Sequence, residues 1–176
     1  MRFKYPTYLM LIALLALVAL PVLAGRGDDA NRKSKNGKTA GTIDGVEVTV
    51  EYGRPNVKDR EIWGGLVPYG KVWRTGADEA TAITFGADVL VEGQALAAGT
   101  YGLFTIPGES EWTFIFNNVA EQWGAFDYSD AEDALRVDVT PQASEHVEAM
   151  DFAIEGSSVV LRWEKLAVGF SVAAAE

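Results

Sequence analysis

The stretch VEVTVEY, residues 46–52, decides the fold class of this chain. Its apolar residues Val46, Val48, Val50 and Tyr52 all fall on one face of an extended strand, and the residues between them are polar or charged. Alternation with a period of two is the pattern of a strand that has one face in a core and the other in solvent. The stretch therefore predicts a half-buried β-strand.

The same pattern recurs along most of the chain. It is found in WTFIF (112–116), LRVDV (135–139), MDFAI (150–154), VVLRW (159–163) and LAVGFSV (166–172), while 81–92 and 100–106 add two or three strands of mixed pattern. Gly, Pro and Asp turns separate these segments, and no long segment has helical spacing. The sequence predicts an all-β fold, a single antiparallel two-sheet β-sandwich or jelly-roll-like domain.

The first 24 residues have the features of an export signal. Arg2 and Lys4 precede an uncharged apolar run over residues 8–20, and small residues lead up to Ala24. This order predicts a signal peptide that is cleaved after Ala24, which places the protein in the periplasm or outside the cell. No cysteine follows the run, so neither a lipid anchor nor another stable membrane anchor is expected after cleavage.

Composition divides the remaining chain into three parts. Residues 25–41 (GRGDDANRKSKNGKTAG) lack apolar periodicity and are rich in Gly, Asn and charge, which predicts a flexible polar leader. Residues 42–172 form the predicted β-sandwich domain, and residues 173–176 form a short tail.

Charge and cysteine content exclude several classes of function. The formal net charge is −10, and it becomes more negative once Arg2 and Lys4 are removed. An acidic surface repels phosphate backbones and anionic lipids, so no nucleic-acid or membrane-surface partner is expected. The chain has no cysteine, and its single histidine, His146, lies in a predicted acidic loop. We therefore expect no thiolate nucleophile, no catalytic residue, no metal site and no cofactor.

The stretch GGLVPYGKVWRTGADEAT, residues 64–81, carries the most suggestive polar cluster. If Trp73 faces the core, Arg74 points outward; if Val72 faces the core, Arg74 points inward and needs a carboxylate, which Asp78 or Glu79 could supply. Two interpretations stay open. The cluster is either an Arg–carboxylate pair that fixes a turn or a fork that binds an anion or a sugar.

Two connections carry further candidates. The acidic loop DYSDAED (127–133) has the charge of a calcium loop but lacks the EF-hand spacing, so an acidic surface loop is the simpler interpretation and weak calcium binding stays open. Trp63 and Trp123 lie in connections beside glycines, where an aromatic ring could line a groove.

Several long blocks support a family resemblance. They are YGRPNVKDREIWGGLVPYGKVWRTGADEATAITF (52–85), VEGQALAAGTYGLFTIPGESEWTFIFN (91–117), EQWGAFDY (121–128) and VVLRWEKLAVGFSV (159–172). Together with the signal peptide they resemble the bacterial exported family catalogued as domain of unknown function 2911, over residues 45–172. The resemblance implies an exported, single-domain, all-β bacterial protein. It implies no activity and no catalytic residues.

We therefore expect an exported, non-catalytic β-sandwich that binds a small polar ligand or a glycan. The expected ligand-binding residues are Arg54, Arg74, Thr75, Glu79, Tyr101 and Trp123. The alternative is a structural or envelope-interaction protein in which the Arg/Glu cluster only holds the fold. A third possibility is an acid/base hydrolase that uses Asp78 and Glu79. The oligomeric state stays open.

Overall fold

The computed structural model of the chain describes residues 26–175. The predicted signal peptide and its cleavage site lie outside the described residues. Within residues 26–175 the chain forms ten β-strands and one short 3-10 helix, Asp130–Glu132. No helix in this part of the chain is long and apolar enough to cross a membrane.

Two antiparallel sheets contain the strands. The larger sheet has the order β1 (Lys35–Ile43), β2 (Val46–Arg54), β3 (Thr81–Phe85), β6 (Gly99–Ile106), β7 (Trp112–Asn117) and β8 (Asp133–Val139). The smaller sheet has the order β5 (Gln94–Leu96), β4 (Val89–Val91), β10 (Ser158–Ala174) and β9 (Gln142–Glu155). All paired neighbours are antiparallel. The structure thus confirms the all-β fold of two antiparallel sheets.

The hydrophobic core contains the apolar face of β2, the strand predicted from VEVTVEY (46–52). Val46, Val48, Val50 and Tyr52 of β2 are all buried, as their alternation predicts. The two sheets meet through aromatic contacts, of which the shortest is between Phe114 of β7 and Phe170 of β10, with ring centroids 4.9 Å apart. Period-two alternation therefore identifies the side chains that join the sheets.

One strand replaces two of the predicted ones. Residues 159–163 and 166–172 both belong to β10, which runs unbroken through 17 residues. The pairing of β10 with β9 shifts on either side of Glu164, and Glu164 has a φ of 57°. Such a β-bulge changes the phase of the alternation without ending the strand, which explains the break in the sequence pattern.

The boundaries of the predicted leader and tail are corrected. Residues 35–41 do not form a flexible leader, because β1 pairs with β2 from Lys35↔Arg54 to Ile43↔Val46. The strand also contacts the other sheet, since the Thr39 hydroxyl donates to the carbonyl of Phe152 at 2.7 Å. At the other end β10 continues to Ala174, into the predicted tail.

Candidate functional site

A cavity of about 390 Å³ lies where the N-terminal segment, the connection between β2 and β3, and β10 meet. We call it the basic cavity, because four of its lining residues are basic: Lys33, Lys58, Arg60 and Arg74. One carboxylate, that of Asp78, also lines it. Its apolar lining includes Leu66, Val67, Trp73 and Trp163.

Two members of a cluster of four tryptophans, Trp73 and Trp163, line the basic cavity, and Trp63 and Trp112 pack against them outside its lining. Trp73 stacks on Trp163, with ring centroids 5.9 Å apart and an interplanar angle of 19°. Trp63 meets Trp112 and Trp163 edge-on at 5.0 and 5.6 Å. Trp112 and Trp163 are fully buried, as their strand patterns predict, and Trp63 packs against the core with them. A rigid aromatic wall thus borders the polar side of the cavity.

The orientation of Arg74 follows from its neighbour. Trp73 is only 9% exposed and faces the core, and its backbone exchanges hydrogen bonds with Thr105 at 2.7 and 2.9 Å. Arg74 therefore points away from the core, into the basic cavity. This arrangement is the first of the two that the sequence left open.

Arg74 is half-buried and lacks a carboxylate partner. Its Nε has no hydrogen-bond partner, and it forms no salt bridge with any residue between 26 and 175. Burial lowers the pKa of Arg74, and the nearby charge of Asp78 opposes that effect. A guanidinium nevertheless stays protonated at neutral pH. Arg74 therefore holds a partly desolvated positive charge at the cavity.

Glu79 is paired with two arginines that precede β1. Arg32 binds it in a bidentate manner: Nη1 donates to Oε2 at 2.6 Å and Nη2 donates to Oε1. Arg26 lies 3.6 Å from the same carboxylate, and Arg32 lies 3.6 Å from Asp78. We call these four residues the N-terminal clamp. Of the two interpretations that the sequence left open, the pairing of Arg74 with Glu79 does not occur, because Glu79 is bound by Arg32 and Arg26.

The hydrogen bond from Arg32 holds the pKa of Glu79 below its ordinary value. A general acid needs a pKa raised toward the working pH. The ion pairs of the clamp therefore lower the pKa of Glu79, whereas a hydrolase that used Asp78 and Glu79 would need a raised pKa on its general acid.

Backbone strain is concentrated around the basic cavity. Lys58 and Asp78, which line it, and Thr75, which follows Arg74, have positive φ values of 50°, 62° and 54°. For a β-branched residue such as Thr75 this conformation is costly. Its fully buried hydroxyl lies 3.1 Å from that of Thr105, and its carbonyl accepts a hydrogen bond from Thr81 at 2.7 Å. Such locally enforced strain is typical of functional sites.

The six residues expected to bind a ligand do not all line one cavity. Arg74 lines the basic cavity, Thr75 shapes the turn behind it, and Glu79 belongs to the clamp. The remaining three lie outside its lining: Arg54 donates to the carbonyl of Met150, Tyr101 is buried and donates to that of Ala97, and Trp123 is 59% exposed.

Three of the cavity cations and both arginines of the clamp are absent from the residues predicted to form the site. Lys58 and Arg60 lie in a charged stretch of the connection, KDRE (58–61), and the only available signal was the gathering of basic residues in an acidic chain. Arg26, Arg32 and Lys33 fell in the predicted leader. Local sequence does not show that this segment packs against residues 78–79.

The acidic loop and the histidine have local partners. The carboxylate of Asp133 accepts hydrogen bonds from Tyr128, Arg136 and Asn117 at 2.7 to 2.8 Å. Burial, together with the hydrogen bond to Asp133, raises the pKa of Tyr128 to about 12. His146 lies on β9 rather than in the predicted loop, and it is exposed and 3.5 Å from Glu148. No group of three or more potential metal ligands occurs among residues 26–175.

Comparisons with known proteins identify the family of the chain. A search of the curated proteins and a search of the solved structures found no match. The family model described as Protein of unknown function (DUF2911) matches residues 34–172, which contain every strand apart from the last two residues of β10. The match confirms the resemblance that the sequence blocks suggested, and the chain belongs to the DUF2911 family.

Proposed function

We propose that this protein is an exported, non-catalytic binding protein for a small anionic ligand, which it holds in the basic cavity. One observation carries the proposal. In a chain of net charge −10, four basic side chains surround one cavity, and none of them forms a salt bridge within residues 26–175.

Eight of the basic residues between 26 and 175 form no salt bridge, and four of these eight share the lining of this one cavity; the other four are Lys35, Arg54, Lys71 and Lys165. Arg26, Arg32, Lys38, Arg136 and Arg162 each have a carboxylate within 4.0 Å. Carboxylates are abundant in this protein, so their scarcity beside Lys33, Lys58, Arg60 and Arg74 leaves positive charge that an anion can neutralise. An anion that enters the cavity would also offset the charge of Arg74, whose buried Nε has no hydrogen-bond acceptor within residues 26–175.

The shape and lining of the cavity narrow the ligand class. A volume of about 390 Å³ lies within the range of ligand pockets. The lining combines the four cations with apolar residues, of which Leu66 is the most exposed and Trp73, Trp163 and Val67 are nearly buried. This combination suits a compact ring or chain that carries a carboxylate or a phosphate. A sugar acid fits this description and belongs to the class of small polar ligands that the sequence suggested.

Arg74→Gln tests the proposal. We expect D-glucuronate, benzoate or inorganic phosphate to raise the melting temperature of the wild-type protein, because a ligand of the folded state stabilises it. Uncharged glucose should have a much smaller effect. Calorimetric titration of the best of these anions should show about tenfold weaker binding to Arg74→Gln, since a charge-assisted hydrogen bond is lost.

Lys71→Gln is the matched control. Lys71 is exposed, lies three residues before Arg74 and does not line the basic cavity. Its replacement removes the same charge and should leave the affinity within about twofold. Absence of any stabilising anion, or equal binding by wild type and Arg74→Gln, would contradict the proposed function.

A further inference from the structure

We propose that the N-terminal segment, residues 26–34, forms part of the binding site, and that Glu79 is a positioning residue that places Lys33 at the basic cavity. This inference rests on the proposed function, because it concerns the same ligand. It assigns a binding role to a segment whose composition predicts a flexible leader.

The segment is fastened at several points. Arg26 is mostly buried and donates to the carbonyls of Glu51, at 3.0 Å, and Ala80. Arg32 forms the bidentate pair with Glu79. Between them, Asp29 accepts hydrogen bonds from the backbone amide of Arg32, at 3.1 Å, and from that of Asn36, at 2.8 Å. The strand β1 then begins at Lys35, so the path of the chain is fixed on both sides of Lys33.

Lys33 and Ser34 are the residues that this path brings to the cavity. Both line it, although the other basic lining residues come from the connection between β2 and β3. The preceding residue, Arg32, instead holds Glu79 and Asp78. The N-terminal segment therefore supplies one of the four cations of the basic cavity, and the Arg32–Glu79 pair holds that segment against the fold.

Glu79 has no direct part in the lining. It is absent from the residues that line the cavity, and its two carboxylate oxygens are bound by Arg32. Two roles for Glu79 predict opposite changes in anion affinity when its charge is removed. If Glu79 acted only through its negative charge, removing that charge would strengthen anion binding. If it positions Lys33, removing it weakens anion binding, because the segment is no longer held.

The experiment is a double-mutant cycle on the full chain, with D-glucuronate and inorganic phosphate as probes in calorimetric titrations. We expect Glu79→Gln and Lys33→Ala each to weaken binding about fivefold. The double variant should bind no more weakly than the single ones, because Glu79 acts through Lys33. A merely structural role for Glu79 would lower the melting temperature without this coupling in affinity.

A control variant and the exposed position of Lys33 allow an effect on binding to be distinguished from an effect on folding. Glu155→Gln is the matched control, because Glu155 forms a salt bridge with Arg162 and neither residue belongs to the N-terminal clamp or lines the basic cavity; it should leave the affinity unchanged. Lys33 is exposed, so Lys33→Ala will fold even if Glu79→Gln is strongly destabilised.

The outcomes also separate the two proposals. A wild-type protein that binds neither probe overturns the proposed function and this inference with it. A wild-type protein that binds a probe and loses binding in Arg74→Gln, yet is unaffected or strengthened by Glu79→Gln, overturns this inference alone. Independent losses that multiply in the double variant also overturn it.

Discussion

Arg74 and Glu79 are five residues apart and are in opposite electrostatic situations. Glu79 has two arginine partners, whereas Arg74 has no carboxylate within 4.0 Å among the described residues. Proximity in sequence predicted that they would pair. The left-handed conformations of Thr75 and Asp78 give the turn a path that leaves them apart, and the partner of Glu79 is 47 residues away.

This residue-scale difference shows what the sequence could predict about the site. Alternation limited Arg74 to two orientations, and the burial of Trp73 decides between them. The partner of Glu79 could not be predicted, because nothing in local spacing indicates which distant segment packs against a turn. Of the six predicted site residues, Arg74 lines the basic cavity, and Thr75 and Glu79 lie in the same turn. Three of the four cations of the cavity were not predicted.

Glu79 should make stability depend on pH in the acid range. Its pKa is lower in the folded protein than its ordinary value of 4.5, so the folded state binds fewer protons than the unfolded state. The contribution of the Glu79 carboxylate to the free energy of unfolding is complete above pH 4.5. It is lost as the pH falls through the lowered pKa of Glu79 in the folded state. Urea unfolding should show Glu79→Gln less stable than wild type by about 1–3 kcal/mol at neutral pH.

The difference between the two proteins should shrink as the pH is lowered below 4.5. Glu51→Gln serves as the control, because its single pair with the exposed Lys38 contributes little. If the difference in the free energy of unfolding between wild type and Glu79→Gln stays constant down to strong acid, the charge of the Glu79 carboxylate is not the source of the stabilisation.

At the scale of elements, alternation predicted most strands of the sandwich and failed at β1, at β5, in the first half of β9 and within β10. β10 was divided because the bulge at Glu164 shifts the phase of the pattern. β1 was missed because its residues, KNGKTAGTI, carry few apolar side chains. A strand is recognised in sequence by its buried face, so a strand held mainly by backbone pairing gives little signal.

The turn that carries Arg74 depends on a close approach to the end of β2. A Cβ added at Gly53 would lie 2.1 Å from the carbonyl oxygen of Ala77, so Gly53→Ala must displace the turn or the strand. We expect the variant to be destabilised by about 1–3 kcal/mol in urea unfolding. It should also bind D-glucuronate more weakly, because Arg74 and Asp78 lie on the displaced turn.

Gly86→Ala is the control for this prediction. Gly86 follows β3, and an added Cβ there would come no closer than 3.4 Å to any atom. The free energy of unfolding of Gly86→Ala and its affinity for D-glucuronate should stay close to those of wild type. Equal effects of the two substitutions would show that the loss of glycine flexibility, rather than the contact with Ala77, is responsible.

At the scale of the whole molecule, the charge distribution should give stability and binding opposite responses to salt. The net charge of −10 destabilises the folded state through self-repulsion, which salt screens. The attraction between the basic cavity and an anion is screened by the same salt. Between about 0.05 and 1 M NaCl, the urea midpoint should therefore rise while the affinity for D-glucuronate falls.

The control for the salt experiment is Arg74→Gln. Its stability should respond to salt as wild type does, while its residual affinity should depend less on salt. If stability and affinity change in the same direction, the picture of an acidic body with a separate basic cavity is wrong.

The weak sequence signal of β1 has a consequence for how the molecule behaves in concentrated solution. β1 is an edge of the larger sheet, and its exposed Lys35 and Lys38 carry like charges along that edge. The other edges are the three-residue β5, and β8 and β9, which expose Arg136, Asp138, Glu145 and His146. Short or charged edges resist pairing with the strands of another molecule, the first step of intermolecular aggregation. We therefore expect the polar, charged composition that makes β1 hard to recognise in the sequence also to protect this edge strand against pairing between molecules.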